Sequence, residues 1–323
     1  MKYLKYFYVK MNKLQSLIIF VTNRCNCRCG HCFYWKELNK PTQEMSLEEF
    51  NKLFSSLHKL SNVSLTGGEP FLRNDLLDII KIAHKKTEQL VIPTNGILTN
   101  RILSVISKSP ISIDVKVSLD GLKDTHDSIR GIDCFNKVVK TIKQVKPIAK
   151  SVSVNTVVTN RNYQELKRLN EFVKTLGVKH NFIMVRGDPK NPNMNVPEDL
   201  DHVYKTIESI YRDQVGDRFV LNLKLEQLKY TINMIKGEKQ RLVRCLAGKH
   251  AGVIYPNGDV TICEPFKPFA NLRDFDFNFP ELWKSKEAGI EREKVKNCHC
   301  YHDCFLVPSL TLDLRKFIKF NLM

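Results

Sequence analysis

Residues 17–34 read Leu-Ile-Ile-Phe-Val-Thr-Asn-Arg-Cys-Asn-Cys-Arg-Cys-Gly-His-Cys-Phe-Tyr, an apolar run followed at once by closely spaced cysteines. Leu17–Thr22 is rich in β-branched and aromatic residues without polar alternation, so it reads as a strand covered on both faces. Cys25, Cys29 and Cys32 follow in a C-x3-C-x2-C spacing. Parallel α/β folds gather their chemistry at the C-terminal ends of strands, which is where this loop begins. Three thiolates on one tight loop can hold three irons of a 4Fe–4S cube and leave the fourth open to a small chelating molecule. Cys27 reads as an extra thiol facing away. In the rival reading it is the fourth thiolate of a structural zinc site.

Outward from this stretch, β-rich runs alternate with amphipathic segments to about residue 186. The further strand candidates are Asn62–Leu65, Leu90–Pro93, Ile113–Ser118, Val152–Val158 and His180–Val185. Between them lie helix candidates Ser46–His58, Asn74–Lys86, Asn100–Ser107, Phe135–Lys146 and Asn162–Leu176, the first opened by a capping box of Ser46 and Glu49. Six β/α units in order predict an α/β fold, a partial (β/α)6 TIM-like barrel, since eight units close the usual one. After Gly187 the pattern changes. Asp188–Pro197 reads as a linker, Glu198–Gln214 and Leu225–Gly237 as helices, and Ala251–Cys263 as a β-hairpin turning at Asn257-Gly258. The end of the chain is irregular and cysteine-rich.

Composition narrows the class. Hydrophobic content of 42% and charged content of 26% over 323 residues exclude a disordered chain. Leu17–Val21 is too short to span a membrane and no signal peptide precedes it, so the chain reads as cytoplasmic. In a reducing compartment its 10 cysteines point to metal rather than disulfides. Cys134 stands alone and reads as a small buried apolar residue. The formal charge of +17 favours an anionic partner or, in the plainer reading, lysines spread over solvated faces.

The cysteine loop, continued by Phe33-Tyr34, resembles the signature of the radical SAM superfamily. Thr66-Gly67-Gly68-Glu69-Pro70, after the second strand candidate, is similar to that family's Gly-Gly-Glu-Pro motif. The resemblance implies that Cys25, Cys29 and Cys32 hold a 4Fe–4S cluster whose open iron binds S-adenosyl-L-methionine (SAM), and that reductive cleavage yields a 5′-deoxyadenosyl radical. It also implies that Phe33, Gly67, Gly68, Glu69 and Pro70 line the SAM site. Glycines let backbone carbonyls approach an ammonium, and a carboxylate adds charge complementarity. Asn95 in Thr94-Asn95-Gly96, Ser118 and Asp120 in Ser118-Leu119-Asp120-Gly121, Asn155 and Arg186 occupy strand-end or barrel-mouth positions, while Arg130 in Ser128-Ile129-Arg130-Gly131 resembles the arginine that pairs with the SAM carboxylate in related subgroups, a surface residue at a helix end being the alternative. The resemblance assigns these to the cofactor, against ordinary turn or core duty.

Cys245, Gly258 and Cys263 form C-x12-G-x4-C around the hairpin, followed by Cys298, Cys300 and Cys304. This resembles the SPASM extension of many radical SAM enzymes and, with so few cysteines, its shorter twitch form. The implied auxiliary 4Fe–4S cluster takes Cys245, Cys263 and Cys304, with Cys298 and Cys300 competing for the fourth place; a zinc ribbon is the alternative. The implied organisation is an extension at 1–14, the barrel at 15–190, a helical connector at 191–240, the auxiliary cluster domain at 241–306 and a tail at 307–323. A small β-hairpin plus cysteine-rich iron–sulfur domain thus follows the barrel.

The function implied is hydrogen abstraction from a substrate carbon, with a reductant such as flavodoxin or ferredoxin supplying the electron. The charge favours an anionic small molecule, sugar or lipid as substrate. A peptide or protein maturase is the alternative, helped by a separate leader-binding protein, since the residues before the first strand are too few for a binding domain. The Lys- and aromatic-rich start and the amphipathic tail Leu310–Phe320 have the composition to touch a membrane, although docking on the core is the other reading. A non-catalytic iron–sulfur electron carrier would not need the Gly-Gly-Glu-Pro motif, and a zinc-stabilised nucleic-acid-binding protein would leave the barrel order unexplained.

Overall fold

The computed structural model describes residues 13–238 and 243–322. Six parallel strands follow one another: β1 (Ser16–Thr22), β2 (Leu60–Gly67), β3 (Thr87–Thr94), β4 (Asp114–Ser118), β5 (Ser151–Val158) and β6 (Lys179–Met184). The helices between them are α1 (Leu47–Ser56), α2 (Leu76–Ala83), α3 (Thr99–Ser107), α4 (Lys123–Arg130), α5 (Phe135–Val145) and α6 (Leu166–Leu176). This is the expected partial barrel. The capping box forms: Ser46 accepts from the Glu49 amide and Glu49 accepts from the Ser46 amide.

Two features depart from the sequence reading. The later strands are not covered on both faces. In β5 the residues Val152, Val154, Thr156 and Val158 are buried, while Ser153, Asn155 and Val157 on the other face are partly exposed, as an open barrel requires. Helix α4 was not anticipated because Lys-Asp-Thr-His-Asp-Ser-Ile-Arg carries no apolar stripe; it buries His126 and Arg130 along with Ile129. Its one sequence signal is Gly131, which ends it in the left-handed conformation (φ 68°).

The connector forms α7 (Leu200–Gln214) and α8 (Arg218–Ile235), the latter starting earlier than its apolar pattern suggests because Asp217 caps it. The hairpin is β7 (Ala251–Ile254) and β8 (Asp259–Thr261), with β9 (Ala270–Asn271) added. It does not stand apart: β7 pairs in parallel with β1, from Ser16↔Ala251 to Ile19↔Ile254, so the barrel sheet continues into it. Next come α9 (Phe279–Lys284) and α10 (Lys286–Val295).

The chain's end is helical rather than irregular, as α11 (Asp303–Thr311) and α12 (Leu314–Leu322); Pro308 within α11 hid the first of these from the sequence. Phe320 of α12 is buried against Phe219 of α8, so the tail docks on the core. The Lys- and aromatic-rich start lies outside the described residues. Among the described residues no helix is long and apolar enough to cross a membrane.

Candidate active site

The first cysteine loop leaves the C-terminal end of β1 and is held on both sides by backbone. Gly68 N–H donates to the Thr22 carbonyl at 2.9 Å and Glu69 N–H to the Arg24 carbonyl at 2.8 Å. A Cβ on Gly67 would stand 2.3 Å from the Thr22 oxygen, and one on Gly68 2.3 Å from the Arg24 oxygen and 2.9 Å from Cys25 Cβ. Only glycine lets the two loops approach this closely. From the other side α4 docks on the loop: Arg28 N–H donates to the Arg130 carbonyl and Gly30 N–H to the Ile129 carbonyl, both at 3.0 Å. Asn95 Nδ2 donates to Asn26 Oδ1 at 2.7 Å, so the end of β3 grips the loop as well.

The three thiols differ. Cys29 is pulled down to about 5 by a hydrogen bond from Cys27, which outweighs burial, with Arg130 adding to it at 3.6 Å from Nη1 to Sγ. Cys25 is also lowered, chiefly by Cys27. Burial pushes Cys32 up to about 12. Cys27 therefore does not face away. It is buried, its thiol lies between those of Cys25 and Cys29, and its N–H points at Cys25 Sγ at 3.4 Å. The short Cys25–Cys29 connection turns it inward.

Glu69 is buried, and burial lifts its carboxyl to about 7 against hydrogen bonds from the Asn95 amide (2.7 Å), the Thr94 hydroxyl (2.8 Å) and the Phe71 amide (3.2 Å). Pro70 opens the 3₁₀ turn behind it. Asp120, after β4, is fully buried; burial alone would raise it, but Arg130 and then His31 hold it below the usual carboxylate range. Arg130 Nε is 2.7 Å from Asp120 Oδ2, yet neither atom has an aligned hydrogen bond, and His31 Nδ1 is buried without a partner. Three closely spaced thiols beside a buried Asp120–Arg130 ion pair and an unpartnered His31 Nδ1 suit a metal cluster carrying a zwitterionic ligand.

Ser118 pairs with Asn155 across β4 and β5, and Asn155 Oδ1 accepts from Asn181 Nδ2 at 3.2 Å. His126, Asp127 and Cys134 also bring three ligand-type atoms together. Each is engaged by the fold. The Asp120 amide donates to His126 Nδ1, the amides of Cys134 and Phe135 donate to Asp127, and Cys134 is buried 3.4 Å from His126 Nε2.

The second cysteine group is assembled from separate segments. Burial pushes Cys263 up, with Cys304, Glu264 and Cys245 adding negative neighbours. Cys300 is raised by a hydrogen bond with Cys298 and then by burial, and it too senses Cys263. Arg186, after β6, joins this group to the first: its Nη2 meets Glu264 Oε2 at 2.7 Å, its Nη1 donates to Cys304 Sγ at 3.0 Å, and its guanidinium stacks 4.5 Å over the Phe33 ring. Glu264, whose side chain is 7% exposed, is the residue the sequence did not suggest. Its place next to Cys263 is the only available signal.

Residues 19–173 match the profile of the Radical SAM superfamily. Over 298 residues, 88% of this chain, the sequence is 28% identical to the antilisterial bacteriocin subtilosin biosynthesis protein AlbA of Bacillus subtilis and spans 63% of its length. It is 25% identical over 298 residues to the mycofactocin maturase MftC of Mycolicibacterium smegmatis, covering 88% of this chain and 74% of that protein. The fold is that of SuiB from Streptococcus suis, solved with S-adenosylmethionine bound, at a TM-score of 0.66 and 17% identity over 87% of this chain and 68% of that one.

Proposed function

This chain belongs to the radical SAM superfamily, and from that premise we propose that it is a maturase acting on a peptide. The observation that carries the reading is the reach of the likeness. AlbA and MftC match 88% of the chain, far beyond residues 19–173, and their names describe bacteriocin biosynthesis and maturation. This supports the peptide alternative over an anionic small molecule, sugar or lipid.

A 4Fe–4S cluster carrying SAM supplies, on one-electron reduction, a 5′-deoxyadenosyl radical able to take hydrogen from carbon. In this reading Cys25, Cys29 and Cys32 hold that cluster, and the thiols lowered by Cys27 and Arg130 are ready to bind as thiolates. Glu69, Asp120, Arg130 and His31 orient the zwitterionic end of SAM, with Gly67 and Gly68 allowing the close approach. Asn95, Ser118 and Asn155 line the strand ends beside it, and Phe33 and Pro70 shape its walls. Cys245, Cys263 and Cys304 hold an auxiliary cluster, with Cys300 completing it ahead of Cys298 because its thiol is close enough to Cys263 to be raised by its charge. Residues 241–306 then act as a twitch-like domain fused to the barrel through β7. A flavodoxin- or ferredoxin-type reductant delivers the electron, and a separate leader-binding protein presents the peptide.

The test is anaerobic reconstitution with iron and sulfide, reduction by dithionite with SAM, and comparison of peptide libraries with phosphorylated and nucleotide-linked metabolites. The expected result is 5′-deoxyadenosine whose formation is stimulated by peptides, one of which loses hydrogen mass. Stimulation by metabolites alone would return the reading to a small-molecule enzyme.

A further inference from the structure

At the opposite end of the sheet from the cysteine loop lies a cavity of about 670 Å³. Its residues immediately precede parallel strands: Leu14 before β1, Leu57 and His58 before β2, Gly248 and Lys249 before β7. One wall is apolar, built on Trp283 stacked against Phe279 with ring centroids 5.0 Å apart. The rim is cationic, with Lys13, Lys249, Lys284 and Arg292, and no carboxylate is among the described residues that line it. The guanidinium of Arg292 lies 5.3 Å over the Trp283 ring and spends its donors on the carbonyls of Gly248 and Trp283, so its charge is left uncompensated. Lys249 is pushed below its usual range by burial and by the neighbouring Arg244, Arg292 and Lys296, with Glu293 opposing them. Positive charges that outnumber the one acid beside them, Glu293, around an apolar wall are costly to the protein alone, and a ligand with the complementary pattern relieves the repulsion.

We propose that this cavity anchors an acidic segment of the peptide substrate, its carboxylates on the Lys/Arg rim and a large apolar side chain on the Trp283 wall. The inference rests on the peptide reading above. A nucleic acid would also use the charge and would stack bases on Trp283, so the choice of a peptide rests on the reading above, and oligonucleotide competition is an outcome of the test. The seven residues of β1 set the cavity roughly 25 Å from the cysteine loop. About eight or more extended residues would bridge that depth, so the anchoring segment is distinct from the part that reacts.

The experiment measures fluorescence anisotropy of a labelled peptide alternating glutamate with leucine and phenylalanine, added to the anaerobically reconstituted enzyme. Lys249→Glu combined with Lys284→Glu should raise its Kd about tenfold or more, whereas Lys140→Glu combined with Lys143→Glu, the same charge change on exposed α5, should alter it less than about twofold. Affinity should fall with added salt, and Trp283→Ala should weaken binding at every salt concentration. Equal weakening by both double variants would reduce the effect to net charge and overturn the proposal. So would displacement of the peptide by oligodeoxythymidylate with the same variant dependence, or no peptide binding at all. If metabolites alone support turnover while this binding persists, the substrate reading fails and the site stands as a peptide-docking site. If peptides turn over while the cavity variant binds normally, only this inference fails.

Discussion

The two cysteine groups are built on opposite plans. Cys25 to Cys32 lie on one loop, gripped by backbone hydrogen bonds from the Gly67-Gly68-Glu69 turn and from the end of α4. Cys245, Cys263, Cys298, Cys300 and Cys304 come from segments that meet only when β7 joins β1 and α11 docks. A loop held by its neighbours' main chain keeps its geometry through changes elsewhere. A group gathered over long chain separations depends on tertiary packing and, here, on a buried ion pair.

The strongest way to break that comparison is to remove one thiol from each group. Cys29→Ala should abolish 5′-deoxyadenosine formation and leave about four of the eight irons that two cubane clusters hold. Cys263→Ala should remove a similar share of iron while substrate-free SAM cleavage stays measurable. Iron analysis with electron paramagnetic resonance on the reconstituted proteins separates the two. A Cys29→Ala protein that cleaves SAM at the parent rate, or a Cys263→Ala protein with full iron, would show that the groups have been assigned to the wrong tasks.

The same contrast explains what could be read from the sequence. The first group was legible because its cysteines and their context are contiguous: a Val/Ile-rich strand, then C-x3-C-x2-C, then Gly-Gly-Glu-Pro at the next strand end. Strands β1 to β6 were legible for the same local reason. Helix α4 was not, because a polar helix that buries His126 and Arg130 in place of leucines leaves no 3.6-residue apolar period. The parallel pairing of β7 with β1 left no trace either, since parallel partners share no turn whose residues would reveal them. Arg186 was found by its place after a strand, but its partner Glu264, distant in sequence, was not.

An intermediate effect is expected from that ion pair. Arg186 is 16% and Glu264 7% exposed at the side chain, so Arg186→Met leaves a buried carboxylate beside Cys304 without the cation that matches it. The loss should be about 3 kcal/mol in urea unfolding, with iron shed first from the second group. Arg186→Lys should recover only part of it, because an ammonium cannot meet Glu264, Cys304 and the Phe33 ring together. If Arg186→Met keeps both its stability and its second-group iron, the dispersed group does not depend on the pair.

The smallest effect should come from the support behind the first loop. Asp127 accepts hydrogen bonds from the Cys134 and Phe135 amides, each at 2.8 Å, and fastens α4 to the start of α5. Although burial works against it, the bond from Lys123 and those two amides lower its carboxyl to about 2. A carboxyl lowered on folding stabilises fully above its unfolded value of about 4 and loses that contribution as pH falls toward its folded value. Asp127→Ala should therefore cost about 1 kcal/mol, typical of a lost helix cap, and the difference from the parent should stay constant between pH 8 and pH 5. Thermal unfolding of the reconstituted proteins, with hydrogen exchange at the Cys134 and Phe135 amides, reads both quantities. A difference that fades already between pH 7 and pH 5 would mean that Asp127 is not held as a carboxylate by those amides, and that α4 grips the loop by its own backbone alone.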